Sequence, residues 1–171
     1  MQVIKPPEKF YERFPTGMHF KAKLFLAGSI EMGAATDWQQ AVTEHLADHD
    51  GLILNPRRDD WDSSWEQSIE NPVFREQVEW ELDGLENHSN LHYFHFEAGT
   101  KSPITLMELG MMAVRDIWPQ VVYCPKGFWR KGNVDILCAR YGIQVHEDKD
   151  KALAHLARMV EHLTPSTLNN Y

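Results

Sequence analysis

Several signatures that would assign a chain at once are missing from this one. Only two cysteines occur among 171 residues, Cys124 and Cys138, both inside apolar segments and at no metal-ligand spacing. They are expected to be reduced core residues of a cytosolic protein, not a disulfide or a zinc site. No stretch approaches the 18 or so apolar residues that a membrane span requires, and the opening MQVIKPPEKFYERF lacks the apolar core of a signal peptide. A cytoplasmic location is therefore the expectation. Positive charge is in short supply: the net charge is −8. That argues against an extended nucleic-acid backbone as partner, while a small anion held by one or two local arginines remains possible.

Chemical motifs are equally scarce. The nine histidines show no metal pattern, and His92 and His95 are spaced to point to opposite faces of a strand. Neither a G-x-S-x-G elbow nor a P-loop is present, and Gly28-Ser29 with Gly33 is not a G-x-G-x-x-G dinucleotide loop. Asp60, Asp62 and Ser64 imitate the start of a calcium loop. Trp65 and Asn71 stand where that loop needs its glycine and its final glutamate. No metal and no cofactor is expected.

What is present is a strong alternation. KLFLAG (23–28), GLILNP (51–56), LHYFHF (91–96), PQVVYCP (119–125) and IQVHED each form a short buried strand, and helical patterns separate them. Thr36 to Gln39 fits a capping box, and Asn71-Pro72 an N-cap followed by a first-turn proline. The second helix carries Phe74, Val78, Leu82 and Leu85 on its inner face. Ser102-Pro103 opens another helix, Asn133 starts a fourth, and Leu153, Leu156, Val160 and Leu163 line one face of the last. The pattern predicts a three-layer α/β/α domain over 20–165 with a five-stranded, mostly parallel sheet. An irregular lead-in over 1–19 precedes it and a tail over 166–171 follows. Ligands of such sheets bind beyond the carboxyl ends of the strands, which directs attention to the loops at 28–36, 55–71, 97–103 and 125–133.

One residue breaks the pattern. In SPITLMELGMMA the helix is apolar almost all round, yet it carries Glu108, and the residues three and four away offer no charged partner. Either Glu108 lies on an exposed polar edge, or it is a carboxylate in a partly dry cleft, usable as nucleophile or base. Gly28 and Ser29 form a tight turn or a cradle of N–H groups. Asn55, Arg57 and Arg58 follow the second strand at the crevice end, either as ordinary surface residues or as holders of a small anion. Trp61 and Trp65 either stack on a flat ring or close their loop. Asp83, like Glu79, Glu81 and Glu86, reads by itself as a solvated helix charge, and Asn133 as a helix N-cap.

The ordered set FLAGSIEMG, NPRRDDW, FREQVEWELDGLE, SPITLMELG and GFWRKGN resembles the nucleoside 2-deoxyribosyltransferase-like family over residues 22–145. The resemblance implies a flavodoxin-like sheet and an N-glycosidic-bond enzyme. Its substrates would be nucleosides or nucleotides, and the reaction 2-deoxyribosyl transfer or hydrolysis. It implies Glu108 as the nucleophile that forms a glycosyl-enzyme intermediate. Asp83 would be the acid that exchanges a proton with the base, with Glu81 as its understudy. The Gly-rich turn falls on Gly28-Ser29, and a site asparagine donated by a neighbouring subunit falls on Asn133, implying a homo-oligomer with a shared site. Ser102 replaces the acid that characterised transferases carry six residues before the nucleophile, and Asn90 stands where an aspartate is frequent; sugar preference is thereby left open. A non-catalytic nucleotide-binding sensor on the same fold is the alternative, and a flavin-binding domain a weaker one.

Overall fold

The computed structural model describes residues 1–14, 20–29, 37–115 and 117–163. Its centre is β2 (Lys23–Gly28) beside β4 (Leu91–His95), two strands buried along nearly their whole length. Strands buried on both faces have no polar side to show, which is why neither alternates in polarity. The remaining strands are β1 (Gln2–Ile4), β3 (Leu52–Leu54), β5 (Gln120–Tyr123) and β6 (Gln144–His146). They form one six-stranded sheet in the order β1-β3-β2-β4-β5-β6, parallel throughout. This is a flavodoxin-like α/β fold with one extra edge strand.

That edge strand corrects the expected irregular lead-in. Val3 pairs with Ile53 and Ile4 with Leu54, and Ile4 is buried. Three residues are too few to show a period, so only the open edge of β3 reveals them as a strand. The two prolines beyond, Pro6 and Pro7, turn the chain into the short helix α1 (Phe10–Arg13). Phe10 and Tyr11 then pack against His88, and Phe14 against Phe20.

Helices cover both faces. Phe25, Ala27, Leu54, Phe94 and Val122 meet Leu85, Leu109, Met112, Val134 and Cys138 on one side. These come from the turn after α3 (Pro72–Asp83), from α4 (Pro103–Arg115) and from α5 (Lys131–Arg140). Leu24, Leu26, Ile53, Tyr93 and Val121 meet Trp38, Val42, Leu156 and Val160 on the other, from α2 (Trp38–His45) and α6 (Lys149–Leu163). The side chains of each strand alternate between the two cores. Both cysteines are free and buried, and burial pushes the Cys124 thiol up to about 11.

Helix starts largely follow their signals. Asn71 accepts from the N–H groups of Val73 and Phe74 ahead of Pro72. Asp37 caps α2 by accepting from Gln40, while Thr36 lies outside the described residues. At α5 the expectation fails: Arg130 is the cap, and Asn133 is the third helical residue. The helix begins earlier because the turn at Phe128 already points the chain into it, with Lys131 donating to the Phe128 carbonyl.

After α3 the backbone widens into a π-helical turn at Gly84–His88. There a Cβ on Gly84 would sit 2.6 Å from the Phe25 ring. Alanine ordinarily gains about 1 kcal/mol over glycine in a helix, but forced overpacking in a filled core costs about 1–3 kcal/mol. Gly84→Ala is therefore expected to lower the urea midpoint; an unchanged or raised midpoint would contradict this packing.

Candidate active site

The chain reverses its direction of travel across the sheet between β2 and β4, since β3 lies on one side of β2 and β4 on the other. The crevice of such a fold opens beyond the carboxyl ends of these two strands. Helix α4 starts at that end. Ser102 takes a left-handed φ of 46°, its hydroxyl bonds Thr100 at 2.9 Å, and its carbonyl accepts from Leu106. Pro103 then opens the helix. Glu108, in the second turn, is only 6% exposed.

No described residue gives the Glu108 carboxyl a hydrogen bond or an ion pair. Burial pushes its pKa well above the ordinary carboxylate range, and the charge of Glu81 pushes it further. Glu81, late on α3, is raised to about 7 by burial. Its only hydrogen-bond donor among the described residues is Gln77, at 2.7 Å, one helical turn earlier. The same Gln77 amide donates to the Pro56 carbonyl at 3.0 Å. One amide thus ties the loop after β3 to the acid pair. Two like acids in dry surroundings titrate as a unit. With both raised, the pair retains a proton near neutrality, and one carboxyl with one carboxylate is the equipment of acid–base division.

Asp83 stands elsewhere. It is exposed and accepts from Asn87 at 3.1 Å. The structure therefore brings Glu81, not Asp83, to Glu108. Sequence could have hinted at it: Gln77 interrupts the apolar face of Phe74 and Val78, and it is the only buried residue of α3.

The other expected residues divide. Gly28 sits at the end of β2, where a Cβ would run into the Trp38 ring and lie 2.8 Å from the His95 carbonyl. Trp38 and His95 stack there at 4.4 Å and 2° between planes, so close packing explains the glycine. Ser29 is buried, and its carbonyl accepts from the Trp38 indole at 2.9 Å; Gly33 lies outside the described residues. Asn55 is buried and accepts from the Arg57 N–H at 3.0 Å, shaping the loop. Arg57 approaches Asp37 at 3.8 Å, which places the start of α2 and the loop after β3 on the same rim. Trp61 is half-buried and meets Trp65 edge to face at 5.1 Å.

Asn133 is exposed beside an apolar groove of about 400 Å³ between α4 and α5, lined by Leu106, Leu109, Trp129 and Val134. Glu108 is not part of that lining. Among the described residues no cluster of three or more acidic, histidine or cysteine ligands is placed to hold a metal. No helix among them is long and apolar enough to cross a membrane. His92 and His95 do face opposite sides, and both serve packing. Burial holds His92 down at about 4, where it bonds Ser89 at 3.0 Å. His95 bridges Tyr93 at 3.3 Å and Glu97 at 3.4 Å.

These features define a flavodoxin-like α/β domain with a buried acid pair beside its switch-point crevice. A family model described as "Nucleoside 2-deoxyribosyltransferase like" matches residues 21–128, from the entry to β2 through the turn after β5. The chain belongs to the nucleoside 2-deoxyribosyltransferase-like family. No curated protein matches it.

Folding raises Glu81 from 4.5 to about 7, so between those values the folded protein binds more protons than the unfolded chain. The stabilising contribution is complete below 4.5 and is lost as pH rises through 7. Glu81→Gln is expected to flatten this decline by on the order of 2 kcal/mol between about pH 5 and pH 8. Urea unfolding at both pH values checks it, and parallel profiles for the two proteins would contradict it.

Proposed function

We propose that the protein is an N-glycosidic-bond enzyme acting on nucleosides or nucleotides, with Glu108 as nucleophile and Glu81 as the acid that serves the base. The observation that carries this reading is a carboxyl group kept dry and unpaired on the second turn of a helix that starts at the ligand end of the sheet. A sealed core would not tolerate an uncompensated acid without a purpose.

The chemistry follows from the pair. Cleavage at an anomeric carbon builds positive charge on the sugar, and that charge favours the ionised form of Glu108. The proton shared by the pair then resides on Glu81. From there it can be delivered to the departing base, directly or through water. Glu108 closes on the anomeric carbon to give the glycosyl ester. A second base or water attacks that ester from the vacated side and restores the configuration. With a base as acceptor the result is 2-deoxyribosyl transfer; with water it is hydrolysis. Asp83, exposed and held by Asn87, serves neither step in this scheme.

The partner chain enters through α4 and α5. Ile104, Met107 and Val114 form an exposed row on α4, at 55%, 59% and 65% exposure, and Trp129, just ahead of α5, and Ile136 on α5 are exposed as well. Asn133 stands at the groove between the two helices. We assign this face to a second copy of the chain, so that Asn133 is offered to a neighbour's site and not to its own.

Two outcomes test these assignments. Incubated with 2′-deoxynucleosides and nucleotides, with and without a second free base, the protein should release base or form a new nucleoside. Glu108→Ala should lose at least about a thousandfold of that rate while keeping the fold. Comparable turnover by the variant would remove Glu108 as nucleophile, and binding without turnover in the native protein would favour the sensor reading. Met107→Glu should shift the species seen by light scattering toward monomer; an unaltered mass would remove α4 from the interface.

A further inference from the structure

The loop after β3 is unusual in what it leaves undone. Three N–H groups there are shut away from solvent with no acceptor among the described residues: Arg57 Nη1, Arg58 Nη1 and Trp61 Nε1. A buried donor without a partner costs on the order of 1–3 kcal/mol, and three within five residues is a concentration that packing alone does not require.

The two arginines are differently occupied. The Arg58 side chain is only 4% exposed and lies across the Trp65 ring at 5.1 Å. It bonds Asp60 through Nε at 2.8 Å and Nη2 at 3.1 Å, leaving Nη1 no closer than 3.9 Å to Glu76. Arg57 is held loosely, with Asp37 at 3.8 Å from Nε, and that carboxylate already accepts from Gln40 as the cap of α2. A further anion would therefore find Arg57 available and Arg58 fixed in place beside it.

The loop is also coupled to the acid pair. Gln77 joins the Pro56 carbonyl, next to Arg57, to the Glu81 carboxyl. The carboxylate of the acid pair repels an anionic substrate, so a substrate carrying a phosphate needs fixed cations close by. Guanidinium groups and an indole N–H arriving from separate positions suit the several oxygens of a phosphate monoester better than the two of a planar carboxylate.

We propose that the loop of Arg57, Arg58 and Trp61 binds the 5′-phosphate of the substrate, making the ligand a nucleoside 5′-monophosphate rather than a free nucleoside. This rests on the glycosidic reading of the same crevice. It adds a source of affinity that the acid pair cannot supply.

Calorimetric titration with the four common 2′-deoxynucleoside 5′-monophosphates, the matching nucleosides and inorganic phosphate decides the matter. At least one monophosphate should bind about tenfold or more tightly than its nucleoside, with a preference that weakens as salt is raised. Inorganic phosphate should compete. Arg57→Gln should bring the monophosphate down to the affinity of the nucleoside. Trp61→Phe, which keeps an aromatic ring but removes the N–H donor, should lower the preference several-fold and serves if the arginine variant does not fold. Equal affinity for the two ligand classes would overturn the proposal, as would a preference that survives both substitutions, or silence from every probe. Inorganic phosphate that binds without competing with a monophosphate would likewise overturn it, as the mark of an anion site apart from the substrate. A phosphate preference without any base release, by contrast, would sink the glycosidic reading and leave this site standing.

Discussion

Desolvation of two carboxyl groups organises this protein's crevice. Glu108 has no hydrogen-bond or ion-pair partner among the described residues, and Glu81 has one amide. Burial raises the cost of ionising both, and the charge of Glu81 raises that of Glu108 further. An arrangement of this kind is unfavourable for folding and survives where the surrounding structure is stable enough to carry it. Here the supporting structure is a fully parallel sheet with both faces covered, whose central strands contribute side chains to both cores.

The same constraint explains details that look unrelated. Gln77 is a polar residue buried on α3 because its amide must reach both the acid and the backbone of the next loop. The π turn that follows lets Gly84 bring the chain against Phe25, three residues beyond Glu81. Widened turns of this type often accompany functional side chains, since the extra residue re-aims what precedes it. On the opposite face of the sheet, Trp38 and His95 fill the space at the end of β2 so closely that only glycine fits between them. Gly28 thus shapes the crevice floor through packing, with the backbone of Ser29 anchored by the Trp38 indole.

Charge balance supplies a second theme. A chain of net charge −8 that concentrates buried acids in its crevice is poorly suited to anionic ligands unless cations are fixed nearby. The proposed anion loop supplies such cations in Arg57 and Arg58, and Arg57 stands on the rim that Asp37 and Asn55 also shape. Electrostatics and hydrogen-bond accounting therefore point to the same loop from independent directions.

Alternating apolar runs were enough to determine the α/β class, five of the six strands and the starts of α3 and α4, because burial on both faces and capping are local properties of sequence. The oddity of Glu108 was equally legible, since a lone acid in an apolar helix needs no coordinates to be noticed. Three matters were decided only by tertiary structure. The strand at Gln2–Ile4 exists because β3 offers it an edge, a long-range pairing that three residues cannot announce. The cap of α5 moved from Asn133 to Arg130 because the turn at Phe128 sets the entry of the chain. The choice between Glu81 and Asp83 depends on which side of α3 faces α4, and two residues along a helix point in very different directions. Sequence could say that acids were there; only packing could say which one is kept dry.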